Sequence, residues 1–413
     1  MNRITRYSKG PFVLSAILLA VTAAAQTTYT VRDLGTLPKT DASMGIDVND
    51  NGEVVGHTSS RGIYQHSFYW SAASGMVDMG FFAVNMRHIN NLGQVFGPGW
   101  VWKRGENGNQ PLYLSGFRPG VAVTTSDLND AGEIAGISDT NTIIGYDSGG
   151  NPQYAGTATI WKKVGGLWTP AALPMPLNDN RGGIHQLTNI APDGTGQAVG
   201  FTAEANWASG SLEYFAKHFV RWSRVYDTWT VAAIVDLPLT ASVSNAFLKM
   251  DDVGDAGGSG WFVDSANNIV TIGMGATGMD VAGNLSGDAT LPDGQRAVRR
   301  DKSTGVIASL GTLGGSRSSA SDDFGNNTYR TMSAAGQIVG WSEPAAGAVG
   351  SLHAFLWTAS TGMLDLNSSA ITPNKSGFQW LHAAAAINST GSITGHGHVT
   401  KGNTRHAFLL TPQ

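Results

Sequence analysis

The chain has 413 residues with 26 basic and 30 acidic side chains, a formal charge of −4, 14% charged residues and no cysteine. Without cysteine there is no disulfide framework, no thiol catalysis and no cysteine-linked lipid, and without a basic run no nucleic-acid partner is expected. The 54 glycines show no three-residue period, so they read as turns rather than collagen, and 41% hydrophobic content is enough for a packed core.

Arg3, Arg6 and Lys9 precede an apolar run from Phe12 to Val21, and Ala23 to Ala25 supply small residues before Gln26. That is the pattern of a cleavable export signal. About ten apolar residues are too few to cross a bilayer as a helix. Residues 1–25 are therefore expected to be removed near Ala25, leaving 23 basic and 30 acidic residues, a formal −7. The remaining chain is expected to be secreted or periplasmic, monomeric and without a membrane span.

Tyr29 to Leu37, YTVRDLGTL, reads as the closing strand and turn of a unit with nothing in front of it. A full unit follows in Ile46 to Gly56, His66 to Trp70 and Gly75 to Gly80. The second runs through His88 to Gly97, Trp100 to Trp102 and Pro111 to Leu114, and the third through Asp127 to Gly136 and Thr157 to Trp161. The fourth has Asn189 to Gly200, His218 to Trp222 and Val235 to Leu237. A shorter fifth lies in Gly254 to Gly258, Trp261 to Val263 and Asn268 to Gly273, and a sixth in Met279 to Gly287, Arg296 to Val298 and Val306 to Leu310. The seventh, Leu310 to Leu366, holds the pattern most completely: LGTLGG, a polar stretch, GQIVG, HAFLW and GMLDL. The eighth, Ala386 to Gly395 and His406 to Leu410, ends without a closing strand.

Short apolar runs bounded by Gly, Asn or Ser are strands between tight turns. One four-stranded meander cannot bury its own apolar face, so the copies must stack. The spare closing strand at the start fits the gap at the end, which favours a ring over an open solenoid with polar caps. The expected fold is an all-β propeller of about eight four-stranded blades, its N-terminal strand closing the last, with residues 26–413 as one domain. Seven blades is the alternative, because Gly254 to Gly283 spans only 29 residues.

Glycines recur four apart, as in Gly52/Gly56, Gly93/Gly97, Gly132/Gly136, Gly196/Gly200, Gly336/Gly340 and Gly391/Gly395. Both members are read as turn chemistry, where Asn bonds its own turn and Gly takes positive φ. Asp47, Asn49, Asn51 and Gly52 imitate the start of a calcium loop, but Thr58 stands where a bidentate Glu is needed, and sibling units lack the acids. His66, His218, His353 and His406 share one position directly before a strand, which marks them as scaffold. Trp70, Trp102, Trp161, Trp222 and Trp357 likewise share one position, as does Phe355 with its siblings, and read as core. His396 and His398 have no third ligand in the sequence, so neither a metal nor a cofactor is expected.

HAFLW at His353 to Trp357 and HAFLL at His406 to Leu410, with LGTLGG at Leu310 to Gly315 and AINSTGSITG at Ala386 to Gly395, resemble the HAF repeat family of extracellular bacterial proteins. The resemblance covers most of the chain after the signal and is clearest in the first, seventh and eighth units. Arg296-Ala297-Val298 and Trp261-Phe262-Val263 depart from it. It implies secretion and a repeat fold; the family brings no established activity, so no catalytic residue is carried over. The sorting helix with a basic tail that ends some relatives does not occur here.

The connections at 137–156 and 201–217 vary most, and variable loops on a rigid scaffold are where binding resides. They carry Tyr146, Asp147, Tyr154, Glu204, Trp207, Glu213 and Tyr214. Aromatics beside carboxylates and amides suit a polar polymer, so the expectation is a secreted scaffold that binds an extracellular or cell-surface glycan or protein through loops on one face. The alternative is a glycoside hydrolase or lyase, for which Glu204 and Glu213 would be the carboxylate pair. A matrix component that associates by sheet edges is a third reading, disfavoured if the ring is closed.

Overall fold

Val48, Val54, Phe68 and Trp70 alternate along consecutive strands with Val55 and Tyr69, and both sets are buried, so each unit offers two apolar faces that only neighbouring units can cover. In the computed structural model the described residues are 27–413 apart from 61–62, 81–85, 122, 189–190, 192, 238–248, 259, 322–329 and 401–403. The export signal and Asn189 lie outside them. The described residues form strands and turns with one 3₁₀ turn, Asn107–Asn109, and no α-helix.

They make seven sheets, six four-stranded and one seven-stranded. The first is an antiparallel meander of Ala42–Val48, Val54–Ser60, Ile63–Ser71 and Gly75–Gly80. Four others repeat that order over 88–113, 249–271, 275–309 and 314–365. The sixth four-stranded sheet joins the chain ends. Tyr29–Asp33 pairs antiparallel with Arg405–Pro412, Val31 opposite Leu410, beside Ile393–Val399 and Phe378–Ile387.

The seven-stranded sheet contains the third and fourth units. Here the segments expected as loops are strand. Ile134–Asp147 and Pro152–Val164 run on past their unit as a long hairpin. Thr195–Val225 is extended throughout and folds back on itself, bringing the rings of Phe201 and Phe219 to 6.2 Å. The two extensions pair in parallel, Gly145 opposite Trp207 and Asp147 opposite Gly210, and so fuse two units into one sheet.

Sheets touch in chain order. His88–Ile89 lies against the first sheet, Thr124–Leu128 against the second, Lys249–Met250 against Arg181–Leu187, and Gly275–Met279 against Lys249–Met250. Gly314–Ser319 lies against Gly294–Arg300, Phe378–Ile387 against Ile338–Pro344, and Ala42–Val48 against the sheet of the chain ends. Each apolar cluster draws from two consecutive units. Phe355, Ile338 and Ala297 span the sixth and seventh, and Tyr29, Phe408, Val339 and Leu356 span the seventh and eighth. Burying one such aromatic contributes on the order of 1.5–3 kcal/mol, so the interfaces rather than the single meanders hold the units in place.

Candidate functional site

The recurrent residues divide into scaffold and exceptions once their neighbours are known. Gly52, Gly93, Gly132, Gly336 and Gly391 have φ of +73°, +69°, +80°, +79° and +82°, as turn glycines should. In the fourth unit the positive φ falls on Gly194 instead of Gly196. The second glycines are not turn residues. A Cβ on Gly56, Gly136, Gly340 or Gly395 would overlap the carbonyl oxygen of Met44, Thr124, Ser319 or Ala383 on the paired strand, and one on Gly97 would enter the Trp100 ring. Opposite Gly56, Gly136 and Gly395 the first strand of the unit skips one residue in register, and the bulge presses backbone against backbone.

The histidines lie within strands rather than before them, and each bonds an aspartate. Nδ1 of His66 lies 2.8 Å from Asp78, that of His353 2.8 Å from Asp365, and that of His406 2.9 Å from Asp33. In the first two pairs the aspartate belongs to the closing strand of the same unit. Asp33 belongs to the N-terminal strand, so that pair staples the chain ends together. His218 turns Nδ1 to Asp179, at 2.9 Å, and meets the closing-strand Asp236 through Nε2 at 3.5 Å. Trp102, Trp161 and Trp222 are fully buried, and each indole N–H donates to a loop carbonyl, of Asn109, Ser115 and Pro174. Trp70 is buried and Trp357 half-buried.

The calcium-like turn uses its amides on its neighbours. Asn49 donates to Asn90 O at 2.9 Å, Asn90 to Asn129 O at 2.9 Å, Asn129 to Thr188 O at 3.1 Å, and Asn388 to Asn49 O at 2.8 Å. Side-chain oxygens of the same residues accept from their own turns, as Asn49 Oδ1 does from the Asn51 and Glu53 amides. The sequence missed a third histidine beside His396 and His398. His382 lies 5.2 and 5.3 Å from their rings, and Trp380 stacks on His398 at 4.1 Å. No group of three ligating side chains among the described residues is arranged to hold a metal ion.

The expected binding residues sit on the fused extensions. Tyr146 and Asp147 end one strand beside Trp207 of the other. Tyr146 is 54% exposed, with Phe215 at 55% nearby in sequence to Tyr214. Asp147 caps the tip, its Oδ1 accepting from the Gly149 and Asn151 amides, and these bonds hold its carboxyl below the usual range. Tyr154 lies under the Arg118 guanidinium, 3.4 Å from it, and Lys217 lies 4.8 Å over Tyr214. Glu204 is half-buried and Glu213 exposed, and no hydrogen bond joins them among the described residues. Trp207 keeps its indole nitrogen buried without a partner.

A second polar group, unmarked by any motif, sits on the first strands. Two residues before the turn position stand Asp47, His88, Asp127, Gln186 and Lys249 in the first five units, against Gly278, Thr331 and Ala386 in the rest. Asp47 Oδ2 accepts from His88 Nδ1 at 2.5 Å and from the Ile89 amide at 3.0 Å. Asp127 Oδ2 repeats this two units on, accepting from Gln186 Nε2 at 2.9 Å and the Leu187 amide at 2.7 Å. Burial works against the Asp47 charge, but the Arg330 and His88 side chains and the two hydrogen bonds outweigh it and hold its carboxyl below the usual range. The available signal was variation: a polar side chain where sibling units carry Gly or Ala.

No family model matches the chain, and no curated protein matches it. Among solved structures the chain is similar to an extracellular domain of a one-component system from B. thetaiotaomicron, at 8% identity and TM-score 0.35, over 92% of this chain and 39% of that one. It is also similar to an arabinanase of Bacillus subtilis, at 13% and 0.23 over 68% and 89%, and to a sialidase of Trypanosoma rangeli, at 10% and 0.25 over 74% and 55%. Likenesses this loose carry no argument about activity. The class the coordinates define is an all-β protein of repeated antiparallel sheets.

Proposed function

We propose that this is an exported HAF-type repeat scaffold, a closed β-propeller of eight blades in one domain, and that it binds an extracellular glycan through the extended strands of its third and fourth blades. Eight blades follow from dividing the seven-stranded sheet into the third and fourth units. Closure is supported by the pairing of Tyr29–Asp33 with Arg405–Pro412 and by the contact of the first sheet with the last. No helix among the described residues is long and apolar enough to cross a membrane.

The parallel pairing of Gly145 with Trp207 carries the binding reading. It turns two separate insertions into one shelf that presents Tyr146, Trp207 and the Asp147 turn together, the combination of flat apolar rings and polar groups that a sugar chain needs. A glycan array probed with the purified protein and with the Tyr146→Ser/Trp207→Ala double variant tests it. Binding by the parent that is lost in an equally stable double variant supports the shelf. A folded parent that binds no glycan overturns the reading.

A further inference from the structure

In the turn between the first two strands of a unit, one side chain faces the residue four places on, and one of the two supplies a hydrogen. Asn49 donates Nδ2 to Glu53 at 2.6 Å and Asn90 to Gln94 at 2.8 Å; in the sixth unit the later residue is the donor, Asn284 to Asp280 at 2.8 Å. The fifth unit has aspartate at both places, Asp251 and Asp255. Two ionised carboxylates offer acceptors only.

The backbone of this turn is that of its siblings. The Gly254 amide donates to Asp251 O at 3.2 Å and the Asp255 amide to Asp251 Oδ1 at 2.8 Å, as the Gly52 and Glu53 amides do to Asn49 at 3.0 and 2.9 Å. Oδ2 of Asp251 therefore stands where Nδ2 of Asn49 stands in the first unit. Asp251 is 5% exposed and Asp255 fully buried, and among the described residues no N–H or O–H donates to Asp251 Oδ2. A Cβ placed on Gly283 of the next turn would lie 3.0 Å from that oxygen and 2.8 Å from Asp255 Oδ2, so the two carboxyls close on one spot.

The charges around the pair do not supply the donor. Lys302, from the sixth unit, meets Asp255 Oδ2. Arg221, from the fourth, donates to the carbonyl oxygens of Gly254 and Asp264. Asp264 accepts from Asn268 within its own turn, as Asp280 does from Asn284. Two carboxylates this close and this buried, with one lysine on one of them, hold a negative charge that desolvation opposes.

We propose that Asp251 is protonated and donates to Asp255, so that the turn of the fifth unit is a latch closed in mild acid and loosened when the proton leaves. The unit is suited to local opening, because its strands Lys249–Met250, Ala256–Gly258, Trp261–Val263 and Ile269–Thr271 are only two or three residues long. Burial, and then the hydrogen bond to Asp255, push the Asp251 carboxyl up to about 6. Asp255 is held below the usual range, its burial being outweighed by bonds to Asp251, Lys302 and the Ser265 amide. The folded value of Asp251 is the raised one, so its contribution is complete below about 4, the unfolded value, and is lost as pH rises through the folded value. Asp255 works the other way and loses its contribution only below about 4, which leaves the latch closed near pH 5.

The test follows amide hydrogen exchange of segment 249–263 in the purified full protein from about pH 5 to about pH 7.5, corrected for intrinsic rates and with EDTA present, beside Asp251→Asn and Asp255→Asn. Protection of the parent segment should fall about tenfold over that range, while the first unit keeps its own. Asp251→Asn restores the amide donor of Asn49 and Asn90 and should hold at the upper pH the protection that the parent has at the lower. Asp255→Asn reproduces the Asp280–Asn284 arrangement and decides the matter if Asp251→Asn fails to fold. Flat protection in the parent, asparagine variants that keep the parent's pH dependence, or asparagine variants that are both less protected than the parent at the upper pH would each overturn the proposal. Calcium chloride that restores the parent's protection there would also overturn it and put a cation in place of the proton.

Discussion

Gly52 and Gly136 look interchangeable in the sequence, yet they are glycine for different reasons. At Gly52 a Cβ would meet open space, and only the φ of +73° resists it. Gly52→Ala should therefore cost about 1–2 kcal/mol, the left-handed strain of an ordinary residue. At Gly136 the Cβ would overlap the Thr124 carbonyl oxygen on the paired strand. Backbone cannot give way there without opening the bulge, so Gly136→Ala should cost about 3 kcal/mol. Urea unfolding midpoints of the two variants check the order. At His353, burial works to lower the pKa, but hydrogen bonds to Asp365 and the Val349 carbonyl and the Asp365 charge outweigh it, and the pKa is raised. Asp365 is lowered, burial there being outweighed by His353 and the Asn367 amide. The histidine contribution is complete below about 6.5, its unfolded value, and is lost as pH rises through its higher folded value; the aspartate contribution is present above about 4 and lost in acid. The stability difference between the parent and Asp365→Asn should thus peak between about pH 5 and 6 and shrink above neutrality. A difference that stays flat from pH 5 to 9 would show that the pair is not ionised as drawn. The sequence showed that these residues recur, but the aspartate partners were not paired with the histidines, because the contact forms across a strand pairing and not along the chain.

The strand Tyr29–Asp33 is the element on which the ends of the chain depend. Tyr29 and Val31 pack with Phe408 and Leu410, and Asp33 meets His406. Tyr29→Ala should cost about 3–5 kcal/mol, the usual loss for a buried aromatic. Tyr29→Phe should be neutral or mildly stabilising, because the Tyr29 hydroxyl is buried without a hydrogen-bond partner. Thermal unfolding of the pair separates packing from polarity, and a Phe variant as weak as the Ala variant would assign the hydroxyl a structural bond. The Asn turns are the second such element. Asn90→Ala removes the bond to Asn129 O and two bonds within its own turn, and should cost about 2 kcal/mol. The strands were legible from alternation between Gly-rich turns. The extensions at 137–156 and 201–217 were not, because their polar composition resembles loop until Gly145 finds Trp207 on another unit.

At the scale of the molecule, the question is whether the units unfold together. In an open array each end unit has one neighbour and frays first, while a ring leaves every unit with two. If the first and last sheets close the ring, chemical unfolding should be one transition, and the Tyr29→Ala change should lower its midpoint without splitting it. Two resolved transitions by intrinsic fluorescence and circular dichroism would refute closure. The sequence by itself determined that the chain is β, that it repeats, that turns close on Gly52, Gly93, Gly132, Gly336 and Gly391, and that its first strand matches a gap at its end. Those properties are local, set by alternation and by residues that tolerate tight turns. Only the tertiary structure decided which glycines answer to a neighbour's backbone, which aspartate each histidine meets, that two insertions share one sheet, and that Asp47 and Asp127 each bond the first strand of the following unit. These are contacts between residues tens to hundreds of positions apart, and their chemistry exists only when the stacked sheets bring them together.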